Sequence, residues 1–252
     1  MSTILLSINT YTNKYTKKQI ESIDQFCMFD SITIVYNLDP KYDETDLIKF
    51  QNSFQNSKIK IIINPERIKK KRFHGSIVQG IFSNLLHMSN QNFDYVMILS
   101  ERCIFFDYLT LDDMSILKPL EPTHKYTHLT HSSVESTNYP NKWHWKRFTN
   151  NNIYKKALDK GGVFGGLHEA LTIDGYSYKK LINFIQTFDI SDIYLLNACA
   201  EEFVPYSIIF LVDGKIANFL YHMEYDLKHK TSRQLCGCQP NIVHKTCVKK
   251  IK

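Results

Sequence analysis

Residues Phe73–Phe106 read FHGSIVQGIFSNLLHMSNQNFDYVMILSERCIFF, and the change of period inside this stretch decides the fold. Ser76–Met88 puts Ile77, Ile81, Leu85 and Met88 on one face, the spacing of an amphipathic helix. From Tyr95 towards Phe106 the run YVMILS is continuous and apolar, as in a strand buried on both faces. The same alternation extends upstream. Thr3–Thr10, Ser31–Leu38 (SITIVYNL) and Lys58–Ile63 (KIKIII) are strand-like, the last two closed by Asp39-Pro40 and Asn64-Pro65. Between them Lys17–Met28 carries Ile20, Ile23, Phe26 and Cys27 at helical spacing, and Asp43–Phe54 reads as a helix capped by Asp43 or Thr45. Strand and helix alternating in this way predict an α/β fold, with a mostly parallel sheet flanked by helices in a single domain.

Beyond Phe106 the pattern loosens. Tyr126–His131 alternates like an exposed strand, and Asn138–Lys160 reads as a loop and short helix. Gly161–Gly166 is a turn, Tyr176–Phe188 a helix, Asp192–Phe210 one further helix, and Ile216–Tyr221 a last strand. The domain is expected over 1–227, with a first half to about 110, a second half from 111, and a basic cysteine-bearing tail over 228–252.

Composition narrows the function. The chain has 252 residues, 31 basic and 25 acidic side chains, and a formal net charge of +6. That length buries a full core without disulfides or metal. Lysines number 26 against only five arginines, a bias that suits an A+T-rich microbial or viral genome. A net charge of +6 then argues as well for a phosphate-bearing ligand as for nucleic acid. The Lys69–Arg72 run with His74 lacks the aromatic interleaving of a single-strand binding platform, which argues against nucleic acid. There is no signal-peptide run and no apolar stretch of membrane-span length, so a cytoplasmic protein is expected.

In an open parallel sheet, ligands bind beyond the carboxyl ends of the strands. Asn9, Thr10 and Tyr11 follow the first strand, and Asn37, Leu38 and Asp39 the second. Residues 64–71 follow the third, and Ser100-Glu101-Arg102 the fourth. Polarity at such ends also follows simply from meeting water.

Gly75-Ser76 before an apolar helix, then Phe93-Asp94-Tyr95 and Leu99-Ser100, resemble the core-2/I-branching N-acetylglucosaminyltransferases and related xylosyltransferases. Downstream, Glu201-Glu202-Phe203 with Pro205 is similar to that group's acidic pair followed by an aromatic and a proline. The resemblance implies a GT-A-like, Rossmann-like fold and transfer of a sugar from a nucleotide-diphosphate sugar to a hydroxyl acceptor on a glycan or protein. The Asp-X-Asp motif with which most GT-A enzymes hold a divalent ion is missing, and Ser100-Glu101-Arg102 stands in its place. The resemblance implies no required cofactor, with a UDP-sugar as donor and basic side chains neutralising the diphosphate. Mn or Mg on Glu101, and an inactive sugar- or nucleotide-binding protein, remain the alternatives. On this reading the donor site draws on Thr10, Asn37, Ser76, Ser100 and Glu101, with Arg72, Arg102 and Arg233; Arg147, Lys70 and Lys71 are further candidates for the diphosphate.

Five of the nine glycines lie between Gly161 and Gly175. Gly161-Gly162-Val163-Phe164-Gly165-Gly166 is similar to the Gly-Gly-aromatic-Gly-Gly stretch of blood-group-type glycosyltransferases, which lines their acceptor site. The acceptor set implied is Gly165, Gly166, His168 and Glu169, with Trp143, Trp145 and Tyr139 as stacking platforms; a plain chain reversal is the alternative. Transfer with inversion needs one base to take the acceptor proton. Glu202 is preferred over Glu201, because a Glu before an aromatic fits the resemblance better; charge–dipole pairing at a helix start is the alternative. Cys236, Cys238, His244 and Cys247 match no common zinc module by spacing, and free thiols are expected there.

Overall fold

A computed structural model describes residues 1–10, 15–41, 43, 45, 48, 58–69, 75–101, 103–121, 148, 150–165, 168–196, 200–219, 223 and 224. Strand β1 (Thr3–Thr10), helix α1 (Thr16–Phe26), β2 (Ser31–Leu38) and β3 (Ile59–Ile63) open the chain. Helix α2 (Ser76–His87), β4 (Tyr95–Ser100) and β5 (Ile104–Phe105) follow, then a 3-10 turn (Asp112–Ile116) and β6 (Lys118–Pro119). The second half holds α3 (Asn152–Asp159), β7 (Leu171–Asp174), α4 (Gly175–Thr187) and α5 (Ser191–Tyr194). A 3-10 turn (Ala200–Glu202), α6 (Val204–Leu211), β8 (Lys215–Asn218) and β9 (Met223–Glu224) complete it.

The protein is an α/β domain built on one seven-stranded sheet of order β3-β2-β1-β4-β7-β8-β6. β3, β2, β1 and β4 run parallel. The expectation of a mostly parallel sheet is corrected beyond β4, because β7, β8 and β6 pair antiparallel. The reversal has a local cause. β7 passes directly into α4, and the Gly175 amide at that junction donates to Asp94 O at 2.7 Å, which places the end of β7 beside the start of β4.

Both faces of the parallel half are covered, which explains its unbroken apolar runs. Leu5, Val35, Val96 and Ile98 pack with α2, α3, α4 and α6. Ile4, Leu6, Ile8, Ile34, Tyr36, Met97 and Leu99 pack on the other face with Ile20 and Ile23 of α1. α2 is also pinned by polar contacts. Asn84 is wholly buried and its Nδ2 lies 3.2 Å from Ser7 Oγ, Ile8 O and Val35 O, while its Oδ1 accepts from Asn64 Nδ2 at 3.0 Å. Asn84→Ala therefore leaves buried partners unsatisfied and is expected to cost about 2 kcal/mol, read as a lower urea midpoint. An unchanged midpoint would show that this amide does not tie α2 to the sheet.

Two sequence expectations change. The helix expected over Asp192–Phe210 is divided into α5, the Ala200–Glu202 turn and α6. Pro205 lacks an N–H and is accommodated in the first turn of a helix, so α6 begins just before it. β7 arises where no strand was expected. Gly161 and Gly162 end α3, Gly161 with φ 122° and Gly162 donating to Ala157 O at 3.1 Å. Most of Asp43–Phe54, all of Tyr126–His131 and the 228–252 tail lie outside the described residues.

Candidate functional site

The order of the parallel strands reverses between β1 and β4, since β2 and β3 lie to one side of β1 and β4 to the other. A crevice beyond the carboxyl ends of those two strands is the expected ligand position in an open α/β sheet. Asn9 and Ser100 are register partners there, so Thr10 and Glu101 share that edge. Thr10 is wholly buried with its hydroxyl unpartnered. Asn9 donates to Ile77 O at 3.0 Å, which sets its Nδ2, and its Oδ1 has no partner. Ser76, buried at the first turn of α2, is next to that contact. Asn37, at the end of β2, is turned to the following loop: it donates to Glu66 O at 2.7 Å and accepts from Ile68 N at 3.1 Å.

Glu101 is buried just past β4. Its loop is held by Gln19 of α1, whose Nε2 donates to Ser100 O at 2.8 Å and Cys103 O at 2.9 Å. Gln19 carries no sequence signal beyond its place on the inner face of an amphipathic helix.

The antiparallel strands bring the second half of the chain to the same edge. Because β7 runs against β4, the start of β7 lies by the end of β4, and Ala170 N donates to Ile98 O at 2.7 Å. His168 and Glu169, both buried, therefore stand at the β4 end, with His168 Nδ1 3.5 Å from Glu169 Oε2. β8 ends there too, and Asn218 Nδ2 donates to Glu169 O at 2.8 Å. Glu201 is buried and Glu202 half-buried in the turn before α6. Burial pushes the Glu201 carboxyl up to about 8, with the nearby charges of Glu202 and Glu169 adding to the rise. Its Oε2 has no hydrogen-bond partner.

The structure thus brings Glu169 and Glu202 within electrostatic reach of Glu201, and sets His168 and Glu101 at the same strand ends. Gly165 is buried ahead of His168. Arg72, Arg102, Arg233, Trp143, Trp145 and Gly166 lie outside the described residues, as do Arg147, Lys70, Lys71, Tyr139 and the tail cysteines with His244. Among the described residues no three His, Cys, Asp or Glu side chains come together as metal ligands. No helix among them is long and apolar enough to cross a membrane.

The arrangement offers a proton-holding carboxyl beside a less enclosed one. Asn218 and Tyr206 were not singled out in the sequence, because a strand-end Asn and an apolar-helix Tyr look like ordinary packing residues until β8 and α6 are brought to the β4 end. No protein-family model matches the chain, and no curated protein matches it significantly.

Proposed function

We propose that this protein is a GT-A-like glycosyltransferase that moves a sugar from a nucleotide-diphosphate sugar to a hydroxyl acceptor. The observation that carries the reading is the meeting of Glu169, Glu201 and Glu202 beside the strand-order reversal between β1 and β4. A parallel half with polar strand ends suits the nucleotide, and the acidic group on the neighbouring antiparallel strands suits the acceptor. The donor would occupy the edge formed by Thr10, Ser76, Ser100 and Glu101, and the acceptor that formed by Gly165, His168 and Glu169.

Roles divide by protonation. Glu201 keeps its proton at neutral pH and is poorly suited to accept one. Glu202 is half-buried rather than buried, which leaves it as the carboxylate better suited to act as the base. Glu202 takes the proton as the hydroxyl oxygen bonds to the anomeric carbon and the bond to the diphosphate oxygen breaks, the diphosphate leaving with that electron pair.

A thermal-shift panel of nucleoside diphosphates, with and without manganese, followed by transfer assays on UDP- and GDP-sugars, tests the reading. Stabilisation by a nucleoside diphosphate is expected, with transfer reduced about 100-fold in Glu202→Gln. Stabilisation without any turnover would mark a non-catalytic nucleotide-binding protein, and no binding by any nucleoside diphosphate or nucleotide sugar would sink the proposal.

A further inference from the structure

Ala170 has φ 60°, a left-handed conformation that only Asp213 shares among the described non-glycine residues. An L side chain there costs roughly 1–2 kcal/mol and persists only where the surroundings impose it. Here they do so from several directions. Ala170 N donates to Ile98 O of β4 at 2.7 Å. Ala170 O accepts from Phe219 N at 3.1 Å and from Thr172 Oγ1 at 3.2 Å. The preceding carbonyl, Glu169 O, accepts from Asn218 Nδ2 at 2.8 Å. The turn is therefore clamped between β4 and the end of β8, and the Glu169 side chain leaves it in a set direction.

Asn218 links this clamp to the other acidic segment. It is wholly buried and hydrogen-bonded to the Tyr206 hydroxyl. Tyr206 stands in the first turn of α6, just after Glu201 and Glu202, and lies within electrostatic reach of Glu169 and Glu202. The side chains of Tyr206 and Asn218 are fully enclosed, and Asn218 is the register partner of Leu171 where β7 pairs with β8, so its backbone closes the sheet while its side-chain amide donates to Glu169 O. A strained turn that is over-determined at this place, rather than relaxed by a glycine, points to a requirement on the side chain before it.

We propose that Ala170, Asn218 and Tyr206 form a positioning device that fixes the Glu169 carboxylate in reach of Glu201 and Glu202, so that the acceptor meets one arrangement of carboxylates. The consequence for catalysis rests on the glycosyl-transfer reading, whereas the coupling between the carboxylates stands without it. Asn218 holds the Glu169 backbone carbonyl and Tyr206 holds Asn218, so both act through Glu169 rather than on substrate.

The test uses the full chain labelled with ¹³C at the glutamate carboxyls, with the Glu201 resonance identified by its loss in Glu201→Gln. In Tyr206→Phe and in Asn218→Ser, release of Glu169 is expected to lower the Glu201 titration midpoint by roughly half a unit. Transfer is expected to fall about tenfold in Tyr206→Phe, and this fall should vanish when Glu169 is already glutamine. Asn218→Ser provides the same readings should Tyr206→Phe fold poorly. An unmoved Glu201 midpoint in the folded variants would overturn the device, and so would an undiminished effect of Tyr206→Phe in the Glu169→Gln background. A wild-type protein without transfer activity would remove the glycosyltransferase reading alone, and the titration would still decide the device.

Discussion

Glu201→Gln is expected to raise the unfolding temperature above pH 8 and to leave it nearly unchanged at pH 4. The folded carboxyl is pushed up from 4.5 to about 8, chiefly by burial, with Glu202 and Glu169 adding to the rise. Below about pH 4.5 both folded and unfolded states carry the proton, and a glutamine amide replaces a neutral carboxyl with little change. Between about 4.5 and 8 the unfolded chain ionises first, so the folded state binds more protons and wild-type stability falls as pH rises. Above 8 the folded state holds a buried carboxylate at full penalty. The shift corresponds to on the order of 4 kcal/mol, or about 10 °C in Tm for a domain of this size. Thermal unfolding of both proteins from pH 4 to 9 checks it. Parallel curves across that range would show that Glu201 is not buried as described, and would also remove the reason for assigning the base to Glu202.

Gly75→Ala is expected to destabilise the domain by about 3 kcal/mol or more. A Cβ at Gly75 would lie 1.9 Å from Ile193 O and 2.8 Å from the carbonyl carbons of Ile193 and Tyr194. These are backbone atoms, which cannot swing aside as a flexible side chain does, so the helices must separate. The Gly75 amide also donates to Leu196 O at 2.7 Å, so the same separation weakens a buried hydrogen bond. The segment in question leads from α5 to Glu201 and Glu202, and its displacement would loosen the acidic group as well. Urea unfolding measures the loss, and a variant as stable as wild type would mean that α2 does not seat on residues 193–196 at this distance. Gly175, where a Cβ would meet Phe93 O at 2.0 Å, is under the same constraint. Two glycines that the sequence presents as loop or site features are thus contact points between backbones.

The parallel half was readable from one dimension because its signals are long and redundant. Thr3–Thr10 and Ser31–Leu38 are eight-residue apolar runs, covered on both faces, and they form strands with those same bounds. α2 kept its expected start at Ser76 and ended at His87, since a run of apolar residues at helical spacing admits little else. β7 was hidden for the opposite reason. LTID is four residues long, too short for an alternation to register, and its pairing partners lie far upstream, Leu171 facing Ile98 and Thr172 facing Met97. The division of Asp192–Phe210 was marked only by Pro205, whose effect depends on what the preceding residues pack against.

For the site, the residue types were legible and their company was not. Glu169, Glu201, Glu202 and His168 stand out as polar groups next to apolar runs, which is enough to name them as candidates. That His168 and Glu169 share a strand end with Glu101 follows only from the antiparallel entry of β7, and Asn218 enters only because β8 ends beside them. Asn37 shows the converse, a well-placed strand-end amide whose polar atoms hold the next loop.

The sequence by itself determined the elements whose burial is dictated locally: the buried strands of the parallel half, α1 and α2. Apolar periodicity is a property of neighbouring residues, and any fold must bury it. Tertiary structure alone decided that the last strands reverse direction, and that Glu169 comes within reach of the distant pair Glu201 and Glu202, with a proton held at Glu201. Charge proximity and desolvation depend on distance in space, and no local pattern encodes them.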